Sequence, residues 1–563
     1  SADEFKDRKL IHSAKSHSVA WSPDGHLIAS AHDDQSVRVW DAKTGSRHTV
    51  FKGHTGQSVR HVAWSPDSRN LASSGGRDST VRIWNVEKNA SGPVLSQKGH
   101  VHSAAWSPDG KQLAAATGSR GVRIWEAATG RALHLFPGLD FNNGSHLSWH
   151  PDGERLAAGG IVGNAGRLLV LDPTDGRILH QYDEDNWIWS TCWSADGKWL
   201  AVGTYGGKIT IWDAASLNAG KPAFVWRVGS YASSLSWSSD GRWLAATGSN
   251  EDGGLVRLWD VKRKSPGPDL AGHLGKVYGV SFSPDGQFLA SSGDDATIRV
   301  WDMTTMQPSR ITVALPEDHS ATFSASGQLL SDPQDAGDTL VYVIEQQDST
   351  LELMTPVRFS DHMFAVEANS IGENAPPNHQ TTHGADRDLR LRREVLVEAP
   401  TKLDGVKSWT LETKGERDVI KEIAFLPEGK RFVTLDEHGV IRVRSAEDGR
   451  LMNVFLAEPD CAQLIYLQGD DELLAVSDEG TVHRWRLHDG RYSVEGWKGG
   501  AEITGAVLSP DGGRLIARLK NAAATVFDVD TGEEIASLET RKRDDSDFAW
   551  SPDGKQVASG FGV

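Results

Sequence analysis

Histidine, serine and aspartate recur together in this chain, and these are the three residue types that hydrolases assemble into base, nucleophile and orienting acid. An Asp stands six residues before a strand-end Trp at Asp34, Asp78 and Asp295, and a Ser four before that at Ser30, Ser74 and Ser291. Upstream Gly-His pairs complete two sets: His54, Ser74, Asp78, Trp84 and His273, Ser291, Asp295, Trp301. A hydrolase needs one triad. The same set repeated on successive units therefore points to structure, and no catalytic residue is assigned.

Other motifs fail on spacing or context. GTYGGK, Gly203 to Lys208, is one residue short of a phosphate-binding G-x-x-x-x-G-K, lacks Ser or Thr after its Lys, and falls on a strand-to-strand turn. His379 and His383 are four apart but lie in a polar loop without a carboxylate or Cys framework, so neither a metal nor another cofactor is expected. The basic run RDLRLRRE, Arg387 to Glu394, reads as a strand with a charged solvent face. NAS at Asn89 and NGS at Asn143 match the glycosylation acceptor, which matters only in a secreted protein.

The 563 residues are too many for one hydrophobic core and predict at least two units. No apolar run is long enough to span a membrane, and the first twenty residues lack the apolar core of a secretory signal. The chain does not begin with Met and reads as a processed product or an excised fragment. Two cysteines, Cys192 and Cys461, make no disulfide framework and fit a reducing cytoplasm. A formal charge of −17 repels phosphate backbones and argues against a nucleic-acid partner.

The elements that position these residues repeat. Aligned on the aromatic before S-x-D-G, the chain gives Trp21, Trp64, Trp106, Trp149, Trp193, Trp237 and Phe282, at steps of 43, 42, 43, 44, 44 and 45 residues. Each unit continues with an apolar stretch, a tight turn and an alternating strand such as SVRVWD, KITIWD or TIRVWD. That pattern predicts short antiparallel strands. Four strands per unit, repeated radially, make a propeller.

At these residues the sequence resembles the WD40 family. The resemblance rests on the VRVWD-type ends, the pairs Gly53-His54, Gly99-His100 and Gly272-His273, and the period. It is dense over residues 16–302. Beyond it Phe323, Phe425, Tyr466, Leu508 and Trp550 keep a fainter beat, while 17 of the 21 tryptophans lie before residue 302. The fold expected is all-β, with two consecutive WD40-type propellers. The first, of seven blades, covers 16–314. The second, degenerate and of seven or six blades, covers 315–563 with a polar loop near 374–386. The strand in residues 1–15 is expected to help close its last blade. In the family the His-Ser-Asp-Trp tetrad is a buried hydrogen-bond chain within one blade, so the resemblance implies that role for both sets. Blade three has Ser119 at the Asp position and blade five Gly206, which predicts looser blades there.

Two rings of residues vary where a core would not. Four positions before the repeat aromatic stand His17, Arg60, His102, Ser145, Trp189, Ser233 and Tyr278. Before the tetrad Asp position stand Asp33, Arg77, Gly118, Tyr205, Asp252 and Asp294. The resemblance implies that these rings form the face on which WD40 proteins hold partners. Blade five then gathers Trp187, Trp189 and Tyr205, residue types that dominate binding energy. Arg60, Arg77, His102, Tyr278, Asp252 and Asp294 flank them as further partner-binding candidates. The reading is a non-catalytic scaffold or sensor module for a protein or peptide, of the kind found in larger signalling proteins such as STAND ATPases. The alternative is a propeller hydrolase or lyase, or a small-molecule sensor, acting at the channel mouth through Asp33, Asp252 and Asp294 against Arg60 and Arg77.

Overall fold

A computed structural model describes residues 15–354 and 406–559, apart from short internal stretches of which 138–145, 332–339 and 539–547 are the longest. The described residues are strands joined by turns, with no α-helix among them. They fall into two compact units, Ser13–Gly337 and Asp338–Val563.

The first unit holds seven antiparallel sheets whose strands pair in chain order. Their first strands are Ser16–Trp21, His61–Trp64, Val101–Trp106, Leu147–Trp149, Ile188–Trp193, Leu235–Trp237 and Val277–Phe282. The phrase that follows each, S-x-D-G in five of them, SPDS in the second and HPDG in the fourth, is a turn. Ser22 Oγ donates to Asp24 at 2.6 Å and accepts from the Leu27 amide at 2.9 Å. Gly25 closes the turn at φ +77°, a left-handed value that L side chains rarely take. The same Ser–Asp bond recurs at Ser65, Ser107, Ser194, Ser238 and Ser283. The most repeated polar residues in the chain are thus spent on hairpins.

The repeat tryptophans join one sheet to the next. The indoles of Trp64, Trp106, Trp149 and Trp237 donate to the carbonyls of Ala20, Ala63, Ala105 and Cys192 at 3.0–3.1 Å. The Trp21 amide donates to Ser281 Oγ at 3.1 Å, which ties the first sheet to the seventh and closes a ring. Apolar clusters fill each seam; Ile211, Trp226, Trp237 and Leu244 share the one between the fifth and sixth sheets. Cys192 is partly buried and packs against that layer, and its environment pushes the thiol up to about 12, so it is a packing residue.

The structure differs from the expected boundary at residue 314. Ser320–Ser324, expected to open the second series, pairs with Gln307–Ala314 as a fifth strand of the seventh sheet, with Phe323 opposite Ile311. SATFSASG imitates the repeat phrase, yet its Phe is fully buried there. Its neighbours reach the first sheet: Thr322 Oγ1 donates to the Gly45 carbonyl at 2.8 Å, and Arg38 Nη1 donates to the Leu315 carbonyl at 3.0 Å. The extra strand covers the seam where the ring closes.

The second unit contains four-stranded sheets that begin at Ile420–Phe425, Cys461–Leu467 and Ile503–Leu508. A three-stranded sheet joins Leu340–Gln346, Leu351–Met354 and Val406–Thr413, and Phe548–Trp550 pairs with Val557–Ser559. The same internal register recurs. Arg38 lies opposite Ser30 and Arg299 opposite Ser291, and Arg442 lies opposite Thr434. All three guanidinium groups are buried, Arg442 against Asp436 at 2.7 Å. Trp550 donates to the Val507 carbonyl at 3.1 Å, the link seen between sheets of the first unit. Residues 1–14 of the closing strand expected in 1–15, the loop 374–386, His379, His383, the run Arg387–Glu394 and Asn143 lie outside the described residues.

Candidate partner-binding rim

Within the fifth sheet the chain enters the first strand through Trp187, and Trp189 follows on it. The next hairpin, at Thr204–Lys208, carries Tyr205. The Tyr205 amide donates to the Trp187 carbonyl at 2.9 Å, which locks hairpin to strand. Gly207 makes the turn at φ +69°, and a Cβ there would lie 2.2 Å from the Gly229 carbonyl, so both conformation and space demand glycine. GTYGGK is accordingly a hairpin that presents a tyrosine. Beneath it Lys208 Nζ meets the buried Glu184 carboxylate at 2.6 Å. This ion pair holds the hairpin from below, and nothing in the local sequence announced it.

The three aromatic rings meet. Trp189 and Tyr205 are edge-to-face at 4.9 Å, and Trp187 and Tyr205 lie tilted at 5.7 Å. Tyr205 is 50% exposed and both indoles are partly buried. Trp189 Nε1 is shielded from water with no hydrogen-bond partner, a deficit that a nearby acceptor would relieve.

The other predicted rim residues divide. Arg60 and Arg77 are exposed on the second sheet, and Gly76 between them packs on the Arg60 stem. His102 is partly buried, its ring 6.0 Å from His100. His17, Asp33, Tyr278, Asp294 and Lys15 form one polar cluster across the first and seventh sheets. His17 Nε2 lies 2.5 Å from Asp33 and 5.4 Å, ring to ring, from Tyr278; Lys15 lies 3.5 Å from Asp294. Burial, then the charge of Asp294, pushes the Tyr278 hydroxyl well above its ordinary value. Burial opposes ionisation of Asp33 most strongly, but the His17 bond and the charges of His17, Arg60 and Lys15 together outweigh it and hold the carboxyl below its ordinary value. Tyr231, which the sequence reading missed, joins this cluster through the field of Asp294, and its hydroxyl is pushed up to about 12, by burial first. Asp252, Ser119 and Ser145 lie outside the described residues.

The tetrads are buried chains, with one correction. In the seventh sheet His273 Nε2 contacts Ser291 Oγ at 2.7 Å, and Trp301 donates to the same oxygen at 2.8 Å. His273 Nδ1 lies 3.1 Å from Asp295. In the second sheet His54 contacts Asp78 at 2.6 Å, but its serine is Ser73, 2.7 Å from both His54 Nε2 and Trp84 Nε1. Ser74, the residue counted from sequence, has a buried hydroxyl with no partner. The cause is one additional hairpin residue: Ser73 precedes Asp78 by five, whereas Ser291 precedes Asp295 by four. Replacing Ser73 by Ala should cost about 1–3 kcal/mol, because it leaves two buried ring nitrogens, His54 Nε2 and the donor Trp84 Nε1, without their partner. Ser74→Ala should stay within about 0.5 kcal/mol. Urea unfolding of both variants checks the assignment.

Two sheets complete the chain differently. In the first, His32 Nε2 meets Ser30 Oγ at 2.7 Å and Trp40 donates to it at 2.8 Å. In the fifth, Trp212 donates to Thr210 at 3.1 Å.

Asp295 makes the acid limb of stability specific. Burial disfavours its charge, yet His273, Arg299 and Thr297 outweigh burial and hold the carboxyl far below its ordinary value. A depressed carboxyl contributes stability that is complete above about pH 4 and is lost as pH falls toward its folded-state value. Asp295→Asn should therefore lower Tm at pH 7, with the gap to wild type narrowing below about pH 4. A gap that stays constant down to pH 2.5 would contradict this assignment.

The chain's four-stranded sheets, their register and the buried tetrads agree with comparisons of its sequence. The family model described as IFT122 first beta-propeller matches residues 15–251, and the WD domain, G-beta repeat, matches 265–302. The chain carries a WD40-repeat domain. Among similar proteins are a WD repeat-containing protein WDS homolog of Arabidopsis thaliana and nuclear distribution protein PAC1 of Arthroderma benhamiae. Both are 27% identical to this chain, over 52% of it and over 49% and 61% of their own lengths. THO complex subunit 3 of Arabidopsis thaliana is 27% identical over 47% of this chain and 82% of its own length. The chain thus spans about half to three-fifths of the length of the first two relatives. In the WD40 domain the tetrads and S-x-D-G turns account for the recurring His, Ser and Asp. Among the described residues no helix is long and apolar enough to cross a membrane.

Proposed function

We propose that this protein is a non-catalytic interaction module that holds a protein or peptide on the rim built by Trp187, Trp189 and Tyr205. The first unit reads as a seven-bladed propeller running through Ser324, and the second as a degenerate propeller of seven or six blades. The observation that carries the proposal is Tyr205. It is half exposed while its ring rests on two partly buried indoles, so a partner can bury aromatic area at small entropic cost. Arg60, Arg77, His102, Tyr278 and Asp294 would supply further polar contacts to the partner. In its finer form the reading makes the module the sensor part of a larger cytoplasmic signalling protein, such as a STAND ATPase.

The rival reading needs carboxylates free to act as acid, base or metal ligand. Asp33 and Asp294 are instead engaged with His17 and Lys15, which favours the interaction module. An affinity-purification comparison tests the choice. Bait carrying Trp187→Ala and Trp189→Ala together should lose the specific partners that wild type retains while still unfolding cooperatively, with Tm lowered only by the lost Trp189 packing. Partner retention by the double variant would refute the assignment of this rim.

A further inference from the structure

Along each first strand, the repeat aromatic and the residue two before it share one face, and the residue three before it lies on the opposite face. That position is small in five sheets, at Ser18, Ser103, Ser190, Ser234 and Gly279. Small hydroxyls there stitch neighbouring first strands: Ser190 donates to the Ala232 carbonyl at 2.8 Å, and Ser234 Oγ accepts from the Val280 amide at 3.2 Å. The second and fourth sheets break the pattern with His61 and His146. Their rings lie 4.8 Å apart at 59°, meeting across the third sheet.

Around them hydrogen bonding is unfinished. His61 Nδ1 is buried without a partner, as is the hydroxyl of Ser74, which sits opposite His61 on the adjoining strand. Unsatisfied buried polar groups in a cluster point to a bound water or ion. Burial holds both imidazoles neutral at pH 7, with His146 down to about 4, so each offers a lone pair. With metal–nitrogen bonds of about 2.1 Å, two imidazoles on one tetrahedral ion have ring centres roughly 5 Å apart. Linear two-coordination would need more than about 6 Å, which excludes a copper(I)-type bridge at the observed spacing.

We propose that His61 and His146 form a two-histidine site for a divalent late transition-metal ion, of which Zn2+ is representative. Water completes the coordination, because no group of three or more His, Cys, Asp or Glu side chains gathers among the described residues. Imidazole selects zinc-like ions over calcium or magnesium, which prefer oxygen ligands. The ion would bridge sheets two and four inside the ring, where the other sheets use serine.

The test is Zn2+ titration of the full chain by calorimetry and thermal shift. Wild type is expected to bind with a Tm rise that EDTA reverses. His61→Phe and His146→Phe should each weaken binding at least tenfold, whereas His102→Gln at the rim should not. Equal binding by wild type and both Phe variants would overturn the site, as would no binding by wild type at 1 mM Zn2+ (about −4.1 kcal/mol). X-ray absorption of Zn2+-loaded wild type needs no variant: two imidazole ligands are expected, and none or one would overturn the proposal.

Discussion

Replacing Trp301 by Ala is expected to destabilise the first unit by about 3–5 kcal/mol, the range for removing a large aromatic from a core. Trp301 is 1% exposed and its indole anchors the chain that runs through Ser291 and His273 to Asp295. Truncation opens a cavity between Leu289 and Met303 and leaves Ser291 with one partner fewer. The seventh sheet is also where the ring closes, through Ser281 onto Trp21. The loss should therefore be felt across the whole first unit. A denaturant midpoint lowered with unchanged slope would fit. A variant within about 1 kcal/mol of wild type would mean that the tetrad carries little.

Tyr205→Ala is expected to separate binding from folding. Half of Tyr205 faces solvent, so its removal should cost less than about 1 kcal/mol of stability. At an interface the same truncation should cost about 2 kcal/mol or more, near thirtyfold in Kd. Trp187→Ala should weaken binding by a similar factor. Trp189→Ala should add a stability loss, because Trp189 packs its ring under the tyrosine and its indole nitrogen is enclosed. Surface plasmon resonance on the purified partner, with Tm measured on the same samples, resolves the two effects. Unchanged affinity in Tyr205→Ala would remove the rim from the binding account.

The strands, the turns and the crowding of three rings in the fifth sheet were readable because each depends on local spacing. Period-2 alternation, Asp-Gly turns and a step near 43 residues fix register, and register alone brings position 189 beside position 205. Ser73 was missed because counting from Trp84 assumes a hairpin of constant length, and the second sheet has one residue more. Phe323 was misplaced because a strand's pairing partner is not encoded in its own phrase. SATFSASG looks like an inner strand but finds its apolar contacts on an outer edge. Glu184 with Lys208, and His61 with His146, are 24 and 85 residues apart. Side chains so separated leave no periodic trace, and only the closed ring brings them together.

Hydrogen exchange of the full chain, alone and with a captured partner, reads the rim directly. Slowed exchange is expected across Trp187–Trp193 and the Thr204–Lys208 hairpin, extending to Arg60 and Tyr278. Protection confined to the outer strands or to the second unit, with the fifth-sheet hairpin exchanging as in the free protein, would contradict the aromatic rim as the place where partners bind.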